Sequence, residues 1–316
     1  MKAERFSCLD YFFVLRPMLF YPGWSTMLAG YFIDSRNHWI PFLNNQPDVN
    51  HSKILLLIIA FAMLMGSTFV LNQLADVKSD QKNEKLFLIS NGHLTKKVAL
   101  KEVIVLVIIS LAVIYLLNIT LVLIFILFFL LTGILYNFSP LAMKDRPWGS
   151  LLANTLMGFM AFIIGWLAVK KLDEQVLLDS LPYLLFNTAL YLFTTLPDIE
   201  GDKMTNKKTL AVLYGSKRII QGAMLLYGAG FIFAVLFTDL QALVFYIFSI
   251  PFFVKLVYSY KISDSIKTTK YAILFFALSV CLRWPFYFVI MISGFYLTKL
   301  YFKKRFSLNY PNFSGA

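Results

Sequence analysis

The sequence predicts an all-α, polytopic membrane protein, and three observations lead to that class. Hydrophobic residues make up 59% of the 316 residues and charged residues only 15%, whereas a soluble domain carries about a quarter charged residues. The apolar residues form runs long enough to cross a hydrocarbon core of about 30 Å as helices. Lysine and arginine are concentrated in alternate loops, which is the pattern that orients membrane helices.

The apolar runs predict nine transmembrane helices in one bundle. The run from Val103 to Phe138 is too long for one helix, and Asn118-Ile-Thr120 divides it into a tight helical hairpin. Asp239 separates the seventh and eighth spans in the same way. The predicted spans are 12–33, 53–75, 98–117, 119–137, 148–169, 179–197, 219–238, 240–258 and 271–298.

The first apolar segment is predicted to be a transmembrane helix and not a signal peptide. Arg16-Pro17 interrupts its apolar core, and no small-residue cleavage site follows. We expect residues 1–316 to form a single domain. Within it, two halves that each carry an acidic motif cover 12–137 and 148–258, and a final helix covers 271–298.

The loop charges predict which side of the membrane each loop faces. Most loop lysines and arginines lie in 76–97, 138–147, 198–218 and 259–270, which places these loops and the N-terminus in the cytoplasm. The net charge of +12 therefore reflects topology and does not predict nucleic-acid binding. Nine spans put the C-terminal tail outside, although it carries Lys303, Lys304 and Arg305. Either the last span is miscounted or the earlier loops set the topology.

Two acidic clusters each close an even-numbered span on the predicted cytoplasmic face. The first is Asn72-Gln-Leu-Ala-Asp76-Val-Lys-Ser-Asp80 and the second is Asp198-Ile-Glu-Gly-Asp202. A spacing of four residues puts the aspartates of each cluster on one helix face, and ionisable groups at membrane depth are usually functional. Paired carboxylates with neutral oxygen donors suit Mg²⁺, which shares its coordination shell with water and phosphate. Solvated loop acids are the simpler alternative for either cluster alone.

Several cations are candidates to bind a diphosphate beside these acids. Lys144 and Arg146 lie in the loop between the fourth and fifth spans, and Lys208 follows the second cluster. Charged donors of this kind make strong hydrogen bonds to phosphate, although ordinary positive-inside residues would have the same positions. Arg16 lies inside the first span and is a candidate because an intramembrane arginine usually faces a polar cavity.

Taken together, these motifs resemble those of the UbiA superfamily of intramembrane prenyltransferases. Asn72-Gln-x-x-Asp76-x-x-x-Asp80 fits the family's first motif in its NQxxDxxxD form. Asp198-Ile-Glu-Gly-Asp202 with Lys207-Lys208-Thr209-Leu210 fits the second, D-x-E-G-D-x-x-x-x-(K/R)-(K/R)-T-L. Asn83 to Thr95 and Tyr136 to Gly149 resemble the two loop motifs. The resemblance covers essentially the whole chain, including the number of spans.

The resemblance implies a function and a set of site residues. Family members transfer an isoprenoid chain from an allylic diphosphate to a lipophilic or aromatic acceptor within the bilayer, with Mg²⁺ as the cofactor. Carried over by residue, the Mg²⁺ ligands are Asn72, Asp76, Asp80, Asp198 and Asp202. The catalytic set adds Tyr136, and the diphosphate partners are Asn72, Lys144, Arg146, Arg16 and Lys208.

The sequence departs from the family pattern at several positions. Gln73 replaces the commoner aspartate, and Leu86-Phe87-Leu88 replaces the usual D-R-P. Asn137 and Ala142 alter the Y-S-x-x-P-x-R stretch and remove one basic residue. The reaction class is unaffected by these changes, but the acceptor cannot be assigned from them.

Two alternative functions remain open at this point. A cation-coupled transporter would use its acids to bind a metal or a proton, but it would place them near the membrane midplane on broken helices. A terpene cyclase or diphosphate-releasing enzyme would generate the same cation without an external acceptor. The sequence does not identify the acceptor, the prenyl chain length or the oligomeric state, and the acceptor could be a quinone precursor, a tetrapyrrole or a glycerol phosphate lipid.

Overall fold

Helices account for the regular structure in the computed structural model, which describes residues 4–36, 49–82, 88–204 and 207–312. In chain order the α-helices are α1 Asp10–Phe13, α2 Phe20–Tyr31, α3 His51–Lys82, α4 Lys96–Tyr115, α5 Ile119–Phe129, α6 Pro147–Val169, α7 Gln175–Thr194, α8 Ile199–Met204, α9 Leu210–Leu236, α10 Leu240–Ser259, α11 Ile262–Cys281 and α12 Phe286–Phe306. A π-helix, Leu130–Leu135, continues α5.

The all-helical membrane class is confirmed. Among the described residues, six helices are long and apolar enough to cross a membrane: His51–Val77 of α3, together with α4, α6, α7, α9 and α10. Ile119–Leu135 is apolar but shorter. The count of nine spans remains a prediction.

Polar side chains at the predicted breaks start the next helices. Asn118 accepts a hydrogen bond from the Thr120 N–H at 2.8 Å, which caps α5 and forms the predicted hairpin with α4. Asp239 accepts from the Ala242 N–H at 2.9 Å and caps α10. Both caps satisfy N–H groups that a helix start leaves without an intrahelical partner.

Two of the predicted spans are interrupted in the structure. The first span, 12–33, breaks at Arg16, whose backbone is left-handed (φ 56°), before a 3₁₀ turn and α2. The last span, 271–298, is two helices, because α11 ends at Cys281 and α12 begins at Phe286 after Pro285. A proline inside a helix removes a backbone hydrogen bond and clashes with the preceding turn, so an apolar run that contains one need not be a single helix.

The chain divides into two compact units. Unit 1 consists of residues 1–24, 50–141 and 288–312, and unit 2 consists of 25–49, 142–287 and 313–316. In unit 1, the Tyr301 hydroxyl donates to Asp10 at 2.6 Å, and Arg305 donates to both Asp10 carboxylate oxygens at 3.2 and 3.0 Å. The basic end of α12 therefore lies beside the N-terminal segment.

Unit 2 contains a close crossing between α2 and α6. A Cβ atom on Gly165 would overlap the backbone of Met27, and a Cβ on Gly30 would overlap the carbonyl of Phe162. Small residues that let helix backbones approach in this way are typical of membrane helix interfaces. The rest of the unit packs around buried aromatic rings, among them Tyr183, Phe186 and Phe245.

Candidate functional site

The first acidic cluster lies on the last turns of α3, in unit 1. Asn72, Asp76 and Asp80 recur every four residues along this continuous helix, so they form one stripe. Asp80 is buried, while Asp76 and Asn72 are half-buried. A helix that is otherwise apolar for most of its length thus ends in two carboxylates and one amide on a single face.

Asn137 holds the Asn72 end of this stripe in place. Asn72 Nδ2 donates to Asn137 Oδ1 at 2.8 Å, and Asn137 Nδ2 donates to the carbonyls of Thr132 and Gly133 at 3.0 and 3.1 Å. Those carbonyls belong to the π-helix, whose bonding includes the Tyr136 N–H to the Leu131 carbonyl at 2.9 Å. Isolated π-helical turns often mark functional sites. The structure therefore brings Asn72 close to the segment that carries Tyr136, whose own side chain is half-buried.

Gln73 connects α3 to the turn that contains Arg16. Its Nε2 donates to the Val14 carbonyl at 2.8 Å and to the Phe69 carbonyl at 3.2 Å. An ionised aspartate only accepts hydrogen bonds, so the residue commoner at this position could not make these contacts. The glutamine is therefore a structural residue of this chain, which the sequence showed only as a departure from the family pattern.

Arg16 belongs to the same region as the first cluster. Its guanidinium interacts electrostatically with Asp80, Asp76 and Tyr310, and the side chain is half-buried. The left-handed backbone at Arg16 turns the chain between α1 and α2. Arg16 therefore lies near the first cluster within unit 1, and its role as a diphosphate partner stays a prediction.

The second acidic cluster lies in unit 2, at the start of the short helix α8. The Asp202 N–H donates to the Asp198 carbonyl at 2.8 Å, so the two aspartates sit one helical turn apart on one face. Asp198 is exposed and Asp202 is half-buried. Tyr191 of α7 is hydrogen-bonded to Ser150 and interacts electrostatically with Asp202. Sequence reasoning missed Tyr191, and no local spacing indicates it, because α7 ends at Thr194 and the chain turns before Asp198.

The basic loop before α6 lies next to this second cluster. Lys207 Nζ is 3.9 Å from the Asp145 carboxylate, and the Lys207 N–H donates to the Asp202 carbonyl at 2.9 Å. Asp145 stands between Lys144, which is half-buried, and Arg146, which is exposed. Lys207 therefore connects the loop to the acids, whereas Lys208, the predicted candidate, is an exposed neighbour.

Both clusters fit a hard cation that keeps part of its shell for other ligands. Among the described residues, no three histidine, cysteine, aspartate or glutamate side chains are grouped as a metal site. Each cluster instead offers two carboxylates. Mg²⁺ is commonly held by one or two carboxylates with water and substrate phosphates completing the octahedron, so this donor set suits Mg²⁺ with a phosphate ligand better than a metal enclosed by protein. Residues 83–87 of the adjoining loop motif lie outside the described residues.

Comparison with known proteins gives consistent matches. The model of the UbiA prenyltransferase family matches residues 24–281. The chain is 35% identical over 100 residues to 1,4-dihydroxy-2-naphthoate octaprenyltransferase of Bacillus subtilis, covering 31% of each chain. It is 30% identical over 174 residues to digeranylgeranylglyceryl phosphate synthase of Thermococcus sibiricus, covering 55% of this chain and 60% of that protein. The chain thus matches less than two thirds of the length of either relative.

The fold is also shared with solved structures. A UbiA homologue from Archaeoglobus fulgidus, solved bound to GPP and Mg²⁺, has a TM-score of 0.65 at 19% identity over 90% of this chain and 99% of that one. At this level of identity the likeness establishes the helical fold, and the residues of the site have to be argued from the chain itself.

Proposed function

Because the chain belongs to the UbiA prenyltransferase family, we propose that it transfers a prenyl group from an allylic polyprenyl diphosphate to an aromatic or other lipophilic acceptor in the membrane. One observation carries the proposal. Each unit presents two aspartates one helical turn apart, with half-buried or buried side chains in three of the four cases. Carboxylates in this arrangement suit Mg²⁺ and a phosphate ligand.

The relatives support the same chemistry. Two are named as enzymes that form prenylated products, and the Archaeoglobus fulgidus homologue was solved with GPP and Mg²⁺. Long apolar helices, six of them among the described residues, suit a donor whose tail lies in the bilayer. We place the acidic clusters on the cytoplasmic side, on the basis of the loop charges.

The carboxylates of Asp76, Asp80, Asp198 and Asp202 would hold Mg²⁺, with the Asn72 amide oxygen as a neutral donor. Bound Mg²⁺ would neutralise the charge that develops on the departing diphosphate. Lys144, Arg146, Lys208 and Arg16 would donate charged hydrogen bonds to phosphate oxygens, which positions the donor and favours departure.

Loss of the diphosphate would leave an allylic cation on the prenyl chain. The acceptor would attack this cation through its own carbon or oxygen and release the proton that this atom carries. The face of the Tyr136 ring would stabilise this positive charge, since aromatic faces attract cations. The apolar helices would exclude water from the cation, so that the acceptor and not water reacts. Synthesis of a quinone is the pathway class that we favour, because the relative of higher identity, at 35%, is named a 1,4-dihydroxy-2-naphthoate octaprenyltransferase.

The test is prenyl transfer by the full-length protein in lipid nanodiscs. Geranylgeranyl diphosphate is supplied with Mg²⁺ and either 1,4-dihydroxy-2-naphthoate or a glycerol phosphate lipid, and both released diphosphate and prenylated product are measured. We expect product only with Mg²⁺, and a loss of at least about a hundredfold in Asp76→Asn and in Asp198→Asn, because each removes a charged ligand from the diphosphate site.

Glu200→Gln is the matched control, since Glu200 is exposed on the same short helix as Asp202. It should keep full activity. Full activity in both aspartate variants would refute the mechanism. Diphosphate release with a cyclised hydrocarbon and no dependence on an acceptor would instead identify a cyclase.

A further inference from the structure

The last helix, α12, ends in a group of cations that the proposed function does not use. They are Lys299, Lys303, Lys304 and Arg305. No aspartate or glutamate follows Asp264 in the sequence, so none of these cations has an acidic neighbour within its own helix. Like charges three or four residues apart on a helix repel one another. This basic helix end therefore favours an anion that comes from outside the helix.

Contacts within unit 1 fix the rotation of α12 about its axis. Arg305 donates to both carboxylate oxygens of the buried Asp10, at 3.2 and 3.0 Å. One turn earlier, the Tyr301 hydroxyl donates to the same carboxylate at 2.6 Å, and the Tyr301 ring stacks on Phe13 with centroids 3.8 Å apart. The helix face that carries Tyr301 and Arg305 is therefore turned toward the protein.

This rotation gives α12 two faces of different character. On the face turned toward the protein, Met291, Thr298 and Tyr301 are buried. The opposite face is exposed and recurs every three or four residues, which is the spacing of one helix face. We call this face the α12 stripe, and it consists of Val289, Ile292, Tyr296 and Leu300, which are 40–62% exposed. Apart from one tyrosine hydroxyl the α12 stripe is hydrocarbon, so it suits contact with lipid.

Lys303 and Lys304 lie where the α12 stripe ends. They follow Leu300 by three and four residues, so they flank the same side of the helix, and both are exposed. From Val289 to Leu300 the helix rises about 17 Å at 1.5 Å per residue, which is close to half of the hydrocarbon core of about 30 Å. A phospholipid whose acyl chain lay along the α12 stripe would therefore bring its phosphate to the two lysines.

Aromatic side chains mark the same level of the membrane. Tyr11 and Phe12 are each 49% exposed, and they directly follow Asp10, the residue that binds the end of α12. After α12, Tyr310 is 41% exposed, and its ring meets the Phe302 ring edge-on with centroids 5.0 Å apart. Exposed tyrosines gather where hydrocarbon meets head groups, and lysines near helix ends extend their ammonium groups into that layer. These neighbours place the basic end of α12 at the level of the lipid phosphates.

We propose that the exposed face of α12 binds an anionic phospholipid: Lys303 and Lys304 contact its phosphate, and the α12 stripe packs against an acyl chain. Charge complementarity favours an anionic head group over phosphatidylcholine, whose own ammonium group offsets its phosphate. Clusters of four or more cations beside a membrane helix are typical of anionic-lipid binding. The proposal is independent of the proposed function, because none of these residues belongs to the diphosphate site.

The test is lipid binding by the full-length protein in a non-ionic detergent, followed by native mass spectrometry. The protein is titrated with phosphatidylglycerol or with phosphatidylcholine that has the same acyl chains. We expect the native protein to bind phosphatidylglycerol at least about tenfold more tightly. Lys303→Gln/Lys304→Gln should remove most of this preference, because each cation near an anionic lipid contributes about fivefold. Lys303→Arg/Lys304→Arg should retain it, because both charges remain.

Lys255→Gln/Lys261→Gln is the matched control, since it lowers the net charge by the same two units. Both lysines are exposed, but Lys255 already lies 3.2 Å from the Asp264 carboxylate, and Lys261 begins the turn that contains this acid. The control should keep the native preference. A second readout is the rise in melting temperature on addition of phosphatidylglycerol. Cations near a helix C-terminus stabilise it through the macrodipole, so loss of Lys303 and Lys304 also lowers stability without lipid, but only a lost lipid site removes the rise.

Three outcomes would overturn the proposal. One is an equal preference for phosphatidylglycerol in the native protein and in Lys303→Gln/Lys304→Gln. Another is an equal loss of preference in the Lys255→Gln/Lys261→Gln control, which would assign the preference to net charge. The third is complete displacement of phosphatidylglycerol by millimolar glycerol 3-phosphate, which would show a phosphate site without the acyl contact. Failure of prenyl transfer would count against the proposed function alone and leave these lipid preferences as they are.

Discussion

Asn72 and Asn137 are joined by a hydrogen bond of 2.8 Å from the Nδ2 of one to the Oδ1 of the other. This bond fixes the orientation of the Asn72 amide, because its nitrogen faces Asn137 and its oxygen remains the atom that can serve as a ligand. Asn137 is itself held by two carbonyls of the π-helix. A residue outside the acidic motif therefore sets the geometry of the first motif residue.

Asn137→Ser should lower prenyl transfer without removing any predicted ligand. Serine is too short to keep both sets of contacts, so the Asn72 amide is free to rotate, and two buried carbonyls lose their donor at a cost of about 1–3 kcal/mol. We expect the apparent affinity for Mg²⁺ to fall more than the thermal stability. Asn91→Ser, at an exposed position, is the control, and equal Mg²⁺ dependence in the two variants would contradict the positioning role.

Gln73→Asp should destabilise the protein even though aspartate is the commoner family residue. The substitution removes the donor to the Val14 carbonyl and brings a carboxylate next to carbonyl oxygens. We expect the free energy of unfolding to fall by about 1–3 kcal/mol. Thermal unfolding in detergent measures the effect. Gln175→Asp, at the exposed start of α7, should be neutral or slightly stabilising because acids favour helix N-termini. A Gln73→Asp protein as stable as the native one would show that the hydrogen bond contributes little.

Asp10→Asn should loosen the end of α12. Removing the charge of Asp10 leaves the half-buried Arg305 without its ionic partner and costs about 1–3 kcal/mol. We expect limited proteolysis to cleave the chain after Phe306 faster in this variant. Lys303→Gln, an exposed change on the same last turn, should leave the cleavage rate unchanged. Equal rates in Asp10→Asn and the native protein would mean that the pair does not hold the helix end.

Gly165→Ala should disrupt the crossing of α2 and α6, because the added methyl group would overlap the backbone of Met27. Overpacking of this kind costs about 1–3 kcal/mol or more. The control is Gly222→Ala, where the new methyl group would meet no atom within 4 Å, and where alanine also favours the helix by about 1 kcal/mol. Thermal stability should therefore move in opposite directions in the two variants. A neutral Gly165→Ala would argue against the close approach.

Stability should fall as the pH rises through the titration of Asp239. Burial raises the pKa of this carboxyl from 3.8 to about 6, against the lowering effect of the Ala242 N–H, the Tyr183 hydroxyl and Arg36, while Asp179 raises it slightly. A carboxyl whose pKa is raised on folding contributes its full stability below about pH 4 and loses it as the pH passes about 6. Across this titration the free energy of unfolding falls by on the order of 3 kcal/mol at most.

Asp239→Asn keeps a cap for α10 and removes the titration, so its melting temperature should vary less between pH 5 and pH 7.5 than that of the native protein. Asp173→Asn, at an exposed loop position, should retain the native pH dependence. If the melting temperature changed with pH to the same extent in all three proteins, the pH dependence would belong to other groups.

The sequence predicted helix boundaries better at positions where a polar residue interrupts an apolar run than at positions where the backbone bends. Asn118 and Asp239 both cap helices at the predicted breaks, because a side-chain acceptor near a helix start has a local signature. The left-handed turn at Arg16 has no such signature in hydropathy. Pro285 is a local helix-breaking signal, but the apolar residues on both sides of it favoured one span across 271–298.

In the candidate site, too, the spacing of neighbouring residues was predictable and contacts between distant parts of the chain were not. The spacing of Asp198 and Asp202 predicts a shared helix face, and the structure has it. The partnership of Lys207 with Asp145 joins residues far apart in sequence, and no local pattern predicts which of two adjacent lysines makes it. A cavity lined by Arg16 also includes Thr298 and Tyr310, from the far end of the chain, so only the folded structure brings its parts together.

The division of the chain also has a consequence for how the protein is made. Unit 1 is assembled from three stretches, and the last of them, 288–312, is translated only after all of 142–287. Until then Asp10 has neither Tyr301 nor Arg305 beside it. We expect the first helices to persist as an intermediate in the membrane until residues 288–312 have been synthesised. A ribosome that stalls within 142–287 would therefore leave unit 1 incomplete, although most of the chain has been made.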